Sequence, residues 1–383
     1  MKVYLDNAAT TRLDSRVLAQ MKPYLNSQYG NASSIHALGQ EAFLAVRQAK
    51  ERVAKVLNGE TDSVIFTSGA TEANNFIIKG VALANRQKGN KIIISAIEHP
   101  CVLESAKELI KEGFEVNFLP VNKEGIVNPM DLKKIIDNKT ILVSVMAVNN
   151  EIGTIQDITA LAKIAHAHGA YFHSDVVQAI PYLKIDIKKM GIDFLSLSAH
   201  KIYGPKGVGV ACINRDIKIK PLIVGGGQED GFRSGTYNVP GIIGLAAALE
   251  LADKERIIYL KKTKTLRDYL WQKIKKEIPG VKLNGSATKR VVANLNIMFG
   301  QIEGEAILMD LSHRGIYVST GSACSATDLK ASYVLQAIGL DKNFLNSNIR
   351  FSLGRFNTRK EIDYTVKCLR ETVKRLRSFS PIK

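Results

Sequence analysis

Tyr171-Phe172-His173-Ser174-Asp175 and Asp193-Phe194-Leu195-Ser196-Leu197-Ser198-Ala199-His200-Lys201 are the two stretches that decide the fold. Each reads as a short, largely apolar strand that finishes on a charged residue: an acid in the first and, 26 residues later, a lysine in the second. Working outward, β-rich runs at residues 63–67, 91–95, 115–119, 140–146, 170–173, 193–197 and 207–213 alternate with helical patterns. Strands that alternate with helices imply βαβ units, because parallel strands need a crossover connection. The expectation is an α/β fold with a mostly parallel central sheet flanked by helices. Asp157 is placed to cap a helix that runs to His168 and stops at Gly169, so His166 and His168 fall in its last turn and not in a metal site.

After the last of these strands, Gly225-Gly226-Gly227 leads through Arg233-Ser234-Gly235-Thr236 to an apolar helix over 241–251. This marks the edge of a large domain, residues 15–255. Residues 1–14 and 256–383 are expected to form a smaller α+β domain, with strands near 291–298 and 348–353 and a helix over 303–313. A chain of 383 residues exceeds the length at which a single core stops growing, which favours the division.

Composition narrows the class. With 45% hydrophobic and 23% charged residues, and no apolar run near the roughly 20 residues of a membrane helix, a globular protein of the cytoplasm with no membrane partner is expected. Cys101, Cys212, Cys324 and Cys368 stand far apart with no Cys-x-x-Cys pair, which argues against a disulfide framework and a zinc site. Cys212 in an apolar strand and Cys368 on an amphipathic helix read as core. The net charge is +17, with basic residues clustered over 254–276 and 359–377 at helical spacing. Leu266, Leu270, Ile274, Val366, Leu369 and Val373 interleave with them, so the charges read as outer faces of packed helices, and no direct nucleic-acid partner is expected.

Several polar residues stand at predicted strand ends, where open α/β sheets bind ligands. Phe66-Thr67-Ser68-Gly69-Ala70-Thr71-Glu72 reads as strand, glycine turn and helix start, an arrangement that suits a phosphate, although any capped turn of this kind looks similar. His99 follows one strand, with a ring able to stack on a pyridine. Asn150 follows another, Gln178 lies three residues after Asp175, and Ser198 and His200 stand just before Lys201. Together these groups suit pyridoxal 5'-phosphate: a lysine can hold it and an acid can keep its pyridine nitrogen protonated. Cys324, in Ser319-Thr320-Gly321-Ser322-Ala323-Cys324-Ser325-Ala326-Thr327, sits among small polar residues, which favours a reactive thiol on a mobile loop over a core cysteine. Arg350, in a predicted strand, suits an amino acid's carboxylate, with an internal ion pair as the alternative.

These motifs resemble the cysteine desulfurases of the NifS/IscS type, within the fold-type I pyridoxal phosphate enzymes. The likeness spans nearly the whole chain, from Tyr4-Leu5-Asp6-Asn7-Ala8-Ala9-Thr10-Thr11 through Glu98-His99-Pro100, Asn149-Asn150-Glu151-Ile152-Gly153, Ser198-Ala199-His200-Lys201 and Arg233-Ser234-Gly235-Thr236 to Gly321-Ser322-Ala323-Cys324 and Ile349-Arg350-Phe351-Ser352. The resemblance implies a sulfur-transferring enzyme acting on L-cysteine. It assigns Lys201 to the covalent link with the cofactor, Asp175 to the pyridine nitrogen and His99 to the ring face. Asn150 and Gln178 fall to the ring's polar edge, and Ala70, Thr71, Ser198 and His200 to the phosphate. Thr236 would reach the cofactor of a second subunit, implying a homodimer. Arg350, assisted by Asn31, would hold the substrate carboxylate, and Cys324 would receive sulfur for an iron-sulfur scaffold protein or another sulfur acceptor. The chain departs from the family's habit at Ala32, Lys330-Ala331 and Gln228, positions that bear on loop stiffness and partner choice.

Overall fold

A computed structural model describes residues 1–321 and 331–380. The strands are β1 (Val3–Tyr4), β2 (Val64–Thr67), β3 (Lys91–Ser95), β4 (Glu115–Leu119), β5 (Thr140–Ser144), β6 (Tyr171–Asp175), β7 (Phe194–Ser198), β8 (Gly209–Ile213), β9 (Val281–Leu283), β10 (Asn294–Phe299), β11 (Ile316–Tyr317) and β12 (Asn348–Ser352). The helices are α1 (Ser15–Met21), α2 (Ala37–Leu57), α3 (Ala70–Ala84), α4 (Pro100–Lys111), α5 (Pro129–Ile135), α6 (Ile158–Ala167), α7 (Ile187–Met190), α8 (Val239–Glu277), α9 (Gly304–His313), α10 (Tyr333–Ala337) and α11 (Arg359–Phe379).

Seven strands form the main sheet in the order β2-β8-β7-β6-β5-β3-β4. Strands β7, β6, β5, β3 and β4 pair in parallel, as expected of βαβ units, while β8 runs antiparallel between β2 and β7. Strands β2, β3, β5, β7 and β8 are buried at every position, which explains their continuous apolar character. One apolar core, containing Val53, Val143, Phe172, Leu195 and Leu245, lies on one face, and a second, containing Phe76, Ile92, Ile94 and Leu142, lies on the other.

A three-stranded antiparallel sheet, β12-β10-β9, and the short parallel pair β1-β11 build the rest. Leu266, Leu270 and Ile274 of α8 join Ile362, Val366, Leu369 and Val373 of α11 in a separate core with β10 and β12. Lys261, Lys264, Lys275, Lys367 and Lys374 remain exposed on the same two helices. The amphipathic pattern thus matches packing, with Cys212 and Cys368 both buried.

Three local expectations need correction. Strand β7 ends at Ser198, and Lys201 lies in a single 3-10 turn, Ala199–Lys201, instead of finishing the strand. The helix expected over 241–251 continues to Glu277, a run of 39 residues, because neither glycine nor proline interrupts the chain between Gly244 and Pro279. Strand β5 stops at Ser144, short of Met146. Asp157 does cap α6, its Oδ1 accepting from the Ala160 N–H at 3.1 Å.

Candidate active site

The carboxyl ends of the central strands open into a cavity of about 470 Å³. Strand β6 delivers Asp175 to it, the 3-10 turn after β7 delivers His200 and Lys201, and β3 leads to His99 and Cys101 at the start of α4. Asn150 arrives after β5, Ala8 and Ala9 come from the amino-terminal segment, and Arg350 reaches in from β12. Ala70, Thr71, Gln178 and Ser198 complete the set that the sequence singled out.

Lys201 Nζ donates to the carbonyls of Ala8 and Ala9 at 2.6 and 2.7 Å, so the amino-terminal segment orients the amine. Gln178 Nε2 also donates to Ala8 O, at 2.9 Å. Asp175 is buried. Its Oδ1 accepts from the Val177 N–H at 2.9 Å and its Oδ2 from Asn74 Nδ2 at 2.8 Å. Asn74 is itself held by the Ser196 hydroxyl, which donates to Asn74 Oδ1 at 2.6 Å. These donors fix the orientation of the Asp175 carboxylate at the cavity.

The other end of the cavity is built for an anion. Helix α3 begins after Gly69 with no side-chain cap, so the first-turn N–H groups of Ala70 and Thr71 form the positive end of the helix dipole. Gly209 makes this possible: a Cβ there would come within 2.7 Å of Gly69 Cα and of Leu197 O, so only glycine lets β8 lie against the turn. Glu72 accepts from the Ser68 N–H at 2.8 Å and pairs with Arg233 at 2.8 Å, tying the 225–236 loop to the helix start. Burial lowers the pKa of His200 to about 4, and the nearby Lys201 adds to the shift, so the ring is neutral and can donate one N–H to a phosphate.

Arg350 is 1% exposed. Its Nη2 pairs with Asp6 at 2.8 Å and its Nη1 donates to Asn150 O at 3.0 Å. Its Nε and Asn150 Oδ1 are buried with no partner among the described residues. Such groups are costly to leave unmet, which fits a site that a polar ligand completes. Burial lowers the pKa of His99 and, fully enclosed, raises that of Glu98 to about 8.

Three sequence-derived positions fall elsewhere. Thr236 lines a smaller neighbouring cavity with Ser68, Gly207 and Arg233. Asn31 is exposed and outside the cavity lining, its Oδ1 accepting from the Ser33 N–H at 3.0 Å. Cys324 lies outside the described residues. Conversely, Asp6, Asn74, Glu98, Cys101 and Lys206 stand at or beside the site without having been singled out. Asn74 did leave a signal, being polar on the apolar face made by Ala73, Phe76 and Ile77. Arg355 is structural: it pairs with Asp14 at 2.8 Å and covers the Tyr203 ring.

The sequence matches the aminotransferase class-V family over residues 3–365. The chain belongs to that family. Among class-V relatives, it is 47% identical over 382 residues to cysteine desulfurase IscS of Dictyoglomus turgidum, covering 100% of this chain and 97% of the relative. It is 45% identical over 384 residues to the cysteine desulfurase of Rattus norvegicus, covering 99% and 84%. A solved NifS-like protein superposes with a TM-score of 0.93 at 40% identity, over 98% of this chain and 100% of that one. The solved complex of SspA with cysteine gives 0.83 at 34% identity, over 93% and 100%.

Proposed function

We propose that this class-V enzyme uses pyridoxal phosphate to take sulfur from L-cysteine, leaving L-alanine. It is a pyridoxal phosphate-dependent cysteine desulfurase, a sulfur transferase, as its full-length relatives are. The observation that carries the residue roles is one cavity with a lysine, a buried aspartate, an uncapped helix start and a buried arginine around it. When bound, the cofactor supplies an electron sink for the α-carbon of an amino acid.

Lys201 would hold the cofactor through Nζ, and Asp175 would keep the ring nitrogen protonated. The N–H groups of Ala70 and Thr71, with Ser198 and His200, would hold the phosphate. Asn150 and Gln178 would meet the polar edge of the ring. Arg350 binds the substrate carboxylate, for which its unpartnered Nε is a ready donor. Lys201 Nζ takes the α-proton and His99 handles a proton at the substrate's sulfur. Cys324 then attacks that sulfur: the Cβ–S bond breaks, an S–S bond forms, and a thiol plus L-cysteine become a persulfide plus L-alanine. Lys201→Ala is expected to abolish alanine formation and the visible band of the lysine-bound cofactor. A variant that keeps both would exclude Lys201 from its role.

We further propose the two-domain division at residues 15–255 against 1–14 and 256–383, supported by the separate core around β10, β12 and α11. A homodimer is supported by exposed apolar residues such as Ile35 (94%) and Val224 (78%), and by Thr236 lying outside its own chain's main cavity. The persulfide would pass to an iron-sulfur scaffold protein or another acceptor. A cytoplasmic site of action is supported by the unpaired Cys101, Cys212 and Cys368. Among the described residues no helix is long and apolar enough to cross a membrane.

A further inference from the structure

Helix α4 begins in an unusual way: His99, the ring expected to stack on the cofactor, is also the helix cap. Its Nδ1 accepts from the backbone N–H of Cys101 at 3.2 Å, the first N–H of the helix, because Pro100 has none. The Cys101 thiol sulfur is 3.0 Å from the same nitrogen. That sulfur in turn accepts from Asn74 Nδ2 at 3.2 Å, and the other hydrogen of the Asn74 amide goes to Asp175. The Thr71 hydroxyl is a second side-chain donor to this sulfur. With Asn74 and Thr71 donating, His99 Nδ1 is the acceptor left for the thiol, which sets its hydrogen toward His99.

We propose that Cys101, held by Asn74, is a positioning residue that locks His99 in the tautomer with its proton on Nε2. Two hydrogens converge on Nδ1, and a third on that nitrogen would face the Cys101 N–H. His99 thus enters the reaction as a donor from Nε2, and both groups that would flank the cofactor, Asp175 and His99, are set by one amide, Asn74. The charged groups acting on the pair are Asp175, which favours protonation of His99, and Lys201, which opposes it; Glu98 and Asp175 both act on Cys101. Burial and these two acids push the Cys101 thiol up to about 12, so it keeps the hydrogen that the arrangement requires. The inference rests on the reading of His99 as a residue of the cofactor site, but the geometry of the lock does not depend on turnover.

The test is a long-range proton–nitrogen NMR spectrum of the holoenzyme labelled with ¹⁵N-imidazole histidine, recorded across a pH series. His99 is assigned among the seven histidines with His99→Gln. Wild-type His99 should show the Nε2–H tautomer. Cys101→Ala, which removes the thiol donor, should raise the His99 titration by about half to one pH unit, with a matching shift in the His99 limb of the pH–rate profile. Cys101→Ser, which keeps a donor, should restore most of the difference. An Nδ1–H tautomer in the wild type would overturn the proposal. So would a Cys101→Ala spectrum and pH profile unchanged from wild type, or a shift that serine fails to rescue, which would mean packing alone. Failure of the functional reading would look different: wild-type enzyme forming no alanine, whatever the tautomer.

Discussion

Arg350 holds a full charge in a place where water hardly reaches, and its only ionic partner among the described residues is Asp6. A buried pair of this kind is expensive to break from one side, because the remaining charge is left uncompensated, typically at about 3–5 kcal/mol. Asp6→Ala should therefore lower stability in urea by several kcal/mol, whereas Arg350→Ala should fall more heavily on catalysis. Loss of the carboxylate contact should lower kcat/KM for L-cysteine by on the order of a hundredfold, about 2.7 kcal/mol. Arg350→Lys should recover little, since a point charge cannot make the paired hydrogen bonds of a guanidinium. Glu98 gives a second test at this scale. Its carboxyl accepts from Ser95 Oγ at 2.5 Å and from the Met146 N–H at 2.6 Å, while burial raises its pKa from 4.5 to about 8. Because the folded value lies above the unfolded one, the folded protein binds the extra proton between these two pH values. The stabilisation from Glu98 is complete below pH 4.5 and is lost as pH rises through about 8. Glu98→Gln should flatten that decline in denaturation midpoints measured across the window; an unchanged slope would count against the assignment.

The elements show which parts of this protein could be read in one dimension. Strand β3 begins and ends where its apolar run does, because a fully buried parallel strand needs continuous apolar character and its flanking turns do not. The order of the strands was not legible. Strand β8 inserts antiparallel between β2 and β7, a choice set by contacts across the sheet and not by local pattern. The long α8 was half visible: its apolar start and its basic, amphipathic end look like different helices because they pack on different cores. Ala252, buried where the two halves join, should not tolerate proline; Ala252→Pro should cost about 3 kcal/mol or more in urea denaturation. The site divides in the same way. Asp175 ends a strand, and Lys201, His99 and Asn150 stand in the turns that follow strands, where the sequence pattern announces them. Asp6 meets Arg350 across 344 residues of chain, and nothing local at either end predicts it. Gly209→Ala, by pushing Gly69 away from β8, should weaken cofactor retention more than overall stability, as read by dialysis against a competing carbonyl reagent.

On the scale of the whole molecule, the large sheet supplies the cavity and the smaller sheet supplies Arg350, so a carboxylate held by Arg350 would lie between two separately packed layers. If a second copy covers the exposed apolar residues, Ile35→Asp combined with Val224→Asp should shift the molecular mass measured by light scattering from dimer to monomer. Such a monomer should also bind the cofactor less tightly, as Thr236→Ala should on its own. The most direct measurement of the central claim is product analysis with L-cysteine and the reconstituted enzyme, scored for L-alanine and, by mass spectrometry of the protein, for an added sulfur on Cys324. The account predicts alanine from the wild type, one added sulfur on Cys324, and neither product from Cys324→Ala. Alanine formed by Cys324→Ala at the wild-type rate, or no alanine from the wild type, would contradict it.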